Sequence, residues 1–133
     1  MQTAALLVTA LLFGGMVLFS AGFAAFLFSA LPAAAAGQAL RQAFPHFYLF
    51  VMATAAAGAA LVLASDGVAA ALLAAICLST LPTRQVLMPA INAATDGGAK
   101  RRFKVLHGVS VAITLAHIAA SGYVLARFLA DRA

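Results

Sequence analysis

Apolar residues fill the chain in four long runs, and polar residues lie between the runs or recur inside them at helical spacing. The first run extends from about Ala4 to Leu31 and stops at Pro32. The second goes from Phe47 to Ser65, opened by Phe44-Pro45 and closed by Asp66-Gly67. The third goes from Val68 to about Ile91, interrupted by Pro82, Arg84 and Pro89, and the fourth from about Phe103 to Phe128. A bilayer core of about 30 Å takes roughly 20 helical residues to cross. Lipid offers no partner to an open backbone, so each run reads as a helix. The pattern predicts an all-α integral membrane four-helix bundle, one four-span domain over 1–133 with helices at about 4–31, 47–65, 68–91 and 103–128. The expected connections are AAAAGQALRQAF, the tight SDG and NAATDGGAKRR. The turn at Asp66-Gly67 makes helices two and three antiparallel neighbours.

Composition agrees. Of 133 residues, 65% are apolar and 8% charged, and the mean hydropathy is +1.08. A soluble domain carries about a quarter charged residues to face water. The first run is expected to be an uncleaved helix, because Met1-Gln2-Thr3 offers no basic n-region and the run exceeds a signal-peptide core of about 7–15 residues. Gly15 and Gly22, and the pair Thr54 and Gly58, are candidate close-approach positions. Phe19, Phe23 and Phe26 share a face of helix one and are expected to meet lipid or a neighbouring helix.

The net charge of +5 is unevenly placed: Lys100, Arg101, Arg102 and Lys104 fall in one five-residue window. Beside a membrane span such a cluster sets topology and touches anionic headgroups, rather than nucleic acid. Loops one and three hold these four and Arg41 against Asp96; the other side holds Arg127 and Arg132 against Asp66 and Asp131. The positive-inside rule then puts loops one and three in the cytoplasm and both termini on the non-cytoplasmic side. With the alanine-rich composition, the expected location is a bacterial inner membrane.

Helix four carries a polar seam. Ser110, Thr114, His117 and Ser121 lie 3, 7, 10 and 14 residues beyond His107, which at 3.6 residues per turn places all five within about 80°. A stripe facing lipid is costly, so it is expected to face the bundle interior or a wet crevice. Cys77, Thr80, Arg84, Met88 and Asn92 form a possible counterpart on helix three, within about 120°. Counting along the expected helices places Arg84, His107 and His46 near the cytoplasmic boundary and His117 near the midplane. The plain reading of each is structural: Arg84 snorkels, and the hydroxyls and His117 bond within or between helices.

Two sharper readings stay open. Histidines on adjacent helices can ligate haem b, with His46, His107 and His117 as the candidates. Cys77, Met88, Met52 and a histidine suit copper in its soft Cu(I) state. Enzyme chemistry of the usual kinds lacks parts: there is no glutamate, and all three aspartates lie in loops or the tail. Neither a carboxylate pair nor a Ser-His-Asp triad can be assembled within the membrane.

LFSALP closes helix one, FP opens helix two, Pro82 precedes Met88 by six residues, and RRFKVLHGVS opens helix four, in that order. In these motifs the chain resembles the transmembrane-protein-205-like family, a four-span domain without an established biochemical activity. The resemblance covers nearly the whole length and is most specific over Phe103–Ser110. Thr114 stands where the family usually has Asn, and His46 where it usually has an aromatic residue. The resemblance implies a four-helix membrane domain with Arg84 and His107 in a common site; it implies no substrate.

The expected function is therefore non-enzymatic. Arg84, Asn92, His107 and Ser110, with Thr114 and His117 along the same seam, would form a cytoplasmic-side polar site for an anionic lipid headgroup or small solute. Lys100, Arg101, Arg102 and Lys104 would contact anionic lipid. The alternatives are a haem- or metal-binding protein in redox or metal handling, and a structural accessory subunit of a larger membrane complex. A bundle this small would need a homo-oligomer to enclose a wide solute pathway.

Overall fold

The structure, a computed structural model, describes residues 2–130. Met1, Asp131 and Arg132, used above for the N-terminus and the charge balance, lie outside the described residues. Four long helices make up the fold: α1 (Gln2–Ala30), α2 (Ala33–Val62), α3 (Gly67–Asp96) and α4 (Lys100–Ala130). Each is long and apolar enough to cross a membrane, and among the described residues there is no strand. The chain is an integral membrane protein with four candidate spans.

The expected first loop is not a loop. Only Leu31 and Pro32 separate α1 from α2; Leu31 is extended (φ −124°, ψ 154°), as a residue before proline prefers. From Ala33 onward the alanine-rich stretch is helix, in keeping with alanine's propensity. Pro45, expected to open helix two, therefore sits inside α2, where its missing N–H interrupts the ladder. α3 and α4 also run further than expected and are joined by Gly97, Gly98 and Ala99. Gly98 takes φ +66°, and the N–H of Ala99 closes on the Ala94 carbonyl at 2.9 Å, a glycine-dependent helix stop.

Two helices contain a π-turn. In α1 it spans Leu18–Phe23, with the Ala24 N–H reaching the Phe19 carbonyl. In α3 it spans Thr83–Leu87, with the Met88 N–H on the Thr83 carbonyl. Pro89, which has no N–H to donate, follows two residues after the end of the second.

The substantial contacts join α1 to α2, α2 to α3, α3 to α4 and α4 to α1, so α2 and α4 occupy opposite corners. The tight α2–α3 turn makes these two helices neighbours, as expected. The core is densest toward the termini. Ala5, Thr9, Leu12 and Met16 recur every three to four residues along the buried stripe of α1. They meet Ala55 and Val62 of α2, Ala69, Leu73 and Ile76 of α3, and Val124 of α4. Gly58 permits this approach: a Cβ there would lie 3.1 Å from Leu73 Cδ1 and 3.6 Å from Thr9 Oγ1. Gly15 likewise lets Phe50 pack on α1, whereas Gly22 is exposed and Thr54 bonds only to its own helix.

The other end is looser. α4 buries only Ser121 and Val124, and it packs on α1 along Gln2–Val17. Beyond Val17, α1 leans on α2, where Leu27, Ala36 and Leu40 form a small separate cluster. Phe19 is built into a group with Phe44 and Phe47, while Phe26 stays exposed.

Candidate functional site

An ion pair marks the level of one end. Arg127 on α4 donates from Nε to Asp66 Oδ2 and from Nη2 to Oδ1, both at 2.9 Å. Asp66 also caps α3, accepting from the N–H groups of Val68 and Ala69 at 3.1 and 3.0 Å. The Arg127 guanidinium, followed by these backbone donors, holds the Asp66 carboxyl below the usual carboxylate range. This pair locks the end of α4 to the start of α3.

Depth follows from that level. About 20 residues of helix span the hydrocarbon core, so from here the far boundary falls near Ala43 on α2, Met88 on α3 and His107 on α4. The helices then continue past it. Arg41 on α2 and Asp96 at the end of α3 pair in this extension, at 2.8 and 3.2 Å. Arg84 and Tyr48 lie roughly one turn inside the boundary.

Arg84 sits in the π-turn of α3 and is half-buried. Its Nε donates to the carbonyl of Pro45 at 3.2 Å and its Nη1 to Gln85 Oε1 at 3.3 Å. No carboxylate pairs with it among the described residues. One turn along α2 from Pro45, Tyr48 is only 4% exposed. Its hydroxyl faces Ser110 on α4, at a geometry that closes no hydrogen bond. The neighbouring hydroxyls of α3 turn back on their own helix, Thr80 to Ile76 at 2.6 Å and Thr83 to Ser79 at 2.9 Å.

Deeper, His117 Nε2 and Ser79 Oγ lie 2.8 Å apart across α3 and α4. Ser79 gives its own proton to the Ala75 carbonyl at 2.6 Å, so the bond from His117 requires Nε2–H as donor. This leaves Nδ1 as the ring's free acceptor. Thr114 and Ser121 bond to carbonyls of their own helix, those of Ser110 and His117 at 3.0 and 2.9 Å. The expected stripe is thus one interhelical bond plus two local ones.

The four proposed partners are not joined. His107 is exposed and stacks on Phe103, with ring centroids 5.4 Å apart and 8° between planes. Arg84 turns toward α2, and Asn92 enters through its backbone carbonyl, 3.5 Å from Arg41 Nη2. His46 and His107 stand on helices at opposite corners rather than adjacent ones. Cys77 and Met88 pack half-buried against the core. Among the described residues no group of three or more His, Cys, Asp or Glu side chains comes together.

Lys100, Arg101, Arg102 and Lys104 are all exposed, and none of them pairs with a carboxylate among the described residues. Lys100, Arg101 and Arg102 surround a shallow hollow of about 620 Å³ whose apolar lining is Ala99, Val105 and Leu106. Sequence reasoning missed both ion pairs and Tyr48. Opposite charges on the same side of the topology, Asp66 with Arg127 and Arg41 with Asp96, were the available signal for the pairs. Tyr48 gave none.

No curated protein and no solved structure matches the chain. A family model does, over residues 7–100, more than two thirds of the chain. The chain therefore belongs to the family described as Domain of unknown function (DUF4149).

Proposed function

We propose that this protein is a non-enzymatic membrane protein whose basic end binds an anionic lipid headgroup. The observation that carries the reading is the shallow hollow at the start of α4, where cations without carboxylate partners among the described residues flank apolar side chains. Phosphate or carboxylate oxygens would meet Lys100, Arg101, Arg102 and Lys104, while the upper part of an acyl chain lies on Val105 and Leu106. Near an anionic membrane surface each such cation contributes about 1 kcal/mol.

Arg84, Tyr48 and Ser110 supply a second, deeper polar level in the same half of the bundle. Arg84 brings a charge that no acid among the described residues neutralises; Tyr48 brings a buried hydroxyl with unused hydrogen-bonding capacity. In this reading His107, at the boundary, meets headgroups, and His117 and Thr114 hold helices. The excess of Lys and Arg at this end supports a cytoplasmic orientation in a bacterial inner membrane. We also keep the finer likeness to the transmembrane-protein-205-like family as a proposal; its most specific residues, Phe103–Ser110, lie beyond the matched stretch.

Native mass spectrometry of detergent-purified protein with phosphatidylglycerol and phosphatidylcholine tests this. Wild type should retain the anionic lipid preferentially. Arg84→Gln should weaken that preference, and joint Gln substitution of Lys100, Arg101, Arg102 and Lys104 should reduce it at least tenfold. Equal retention of the two lipids by wild type, or unchanged retention in the fourfold variant, would contradict the reading.

A further inference from the structure

A second feature lies between α1 and α2, away from the basic hollow of α4. Between α1 and α2 runs a lipid-facing groove of about 450 Å³, walled by Leu18, Phe19, Phe23, Phe47 and Phe50, with His46 as its one polar side chain. Its floor depends on Gly15, where a Cβ would come within 2.6 Å of the Phe50 ring. The π-turn of α1, Leu18–Phe23, forms one wall, and π-turns are concentrated at functional sites. Within it Phe19 lies flat on Phe47, centroids 4.0 Å apart and planes 7° apart.

His46 is exposed, and among the described residues it makes no hydrogen bond. Counting from Ala43, it lies about 5 Å inside the hydrocarbon boundary. An imidazole facing lipid at that depth is costly and invites a functional reading. The groove contains no Lys, Arg, Asp or Glu, so a charged headgroup would find no counter-charge. It is a shallow, open groove with apolar walls and a single polar side chain. Aromatic walls favour a flat π-system, and an imidazole N–H suits a carbonyl acceptor.

We propose that this groove binds a lipophilic quinone, entering sideways from the bilayer. Its uncharged ring lies against Phe19, Phe23 and Phe50, one carbonyl oxygen accepts from His46, and its apolar tail remains in lipid. Binding alone is assigned; no electron transfer is implied. The site shares no residue with the anionic-lipid reading, so either can fail without the other.

The test uses the full chain in detergent and decylbenzoquinone as probe, with decanol as the tail-only control. The natural chain has no Trp, and Leu18 is 69% exposed, so Leu18→Trp places a single fluorophore in the groove wall. Quinone should quench it at about one equivalent per chain, and decanol should not displace the quinone at equal concentration. Adding His46→Ala should weaken binding about threefold to tenfold, the effect of one hydrogen bond, while His46→Gln should stay within about twofold. Because His46 is exposed, both variants should fold, which circular dichroism checks. Decanol competing as well as quinone, or His46→Ala binding like its parent, would overturn the proposal.

Discussion

The two ends of the bundle solve different problems. At the end carrying Asp66 and Arg127, all four helices meet, glycine at position 58 lets α2 press on α1 and α3, and charge is neutralised by a two-bond ion pair. At the other end α1 and α4 draw apart, proline and π-turns interrupt the helices, and cations outnumber the acids that meet them. The first end is built for stability. The second leaves more groups unspent, the Tyr48 hydroxyl, the Arg84 charge and the basic start of α4, against the buried Thr9 hydroxyl at the first.

That contrast can be broken most severely in the core. Leu73 is 0% exposed, so Leu73→Ala should lose about 2–5 kcal/mol through transfer and cavity terms. Val109, 45% exposed on the loose half of α4, should lose less than about 0.5 kcal/mol on the same change. Unfolding in mixed micelles measures both, and equal losses would erase the distinction.

Glycine substitutions sharpen it. Gly58→Leu must displace Leu73 and Thr9 and should cost about 1–3 kcal/mol. A Cβ at Gly108 meets nothing within 4 Å, so Gly108→Leu should be tolerated. Thermal aggregation midpoints in one detergent would show the two apart.

Asp66→Ala should cost about 1 kcal/mol for the lost cap alone. It should also change the acid response. The Asp66 carboxyl is held low in the fold, so its contribution is complete above the ordinary carboxylate range. It disappears as pH falls through that range toward the depressed folded value. Wild type should therefore lose stability on acidification, and Asp66→Ala should show a flatter profile over the same interval. A smaller effect than the lost cap is expected for Ser79→Ala, about 0.6 kcal/mol for one interhelical bond in the membrane. A double cycle with His117→Phe should show that the loss belongs to the pair.

Four apolar runs made the four spans legible, since lipid enforces helix wherever the backbone crosses. The start of α2 was not legible: polar Gln38, Arg41 and Gln42 broke the hydropathy while alanine propensity and the rigid Leu31-Pro32 break determined the helix. Pro45 misled for the same reason, because a proline signals a helix start unless the surrounding bundle holds the helix through it. The stripe on α4 was correctly spaced, yet spacing does not say which neighbour a side chain chooses. Arg84 turned to the Pro45 carbonyl on α2, and His107 turned outward onto Phe103. The Tyr48–Ser110 approach joins helices at opposite corners, which no periodicity along either one encodes.

The most direct test of the two-ended account compares charge removal at each end in one lipid assay. Spin-labelled phosphatidylglycerol, exchanging at the protein surface in reconstituted membranes, reports the preference for anionic lipid over phosphatidylcholine. The account predicts that joint Gln substitution of Lys100, Arg101, Arg102 and Lys104 removes the preference while Arg127→Gln leaves it intact. Equal losses from the two ends, or none from the basic end, would contradict it.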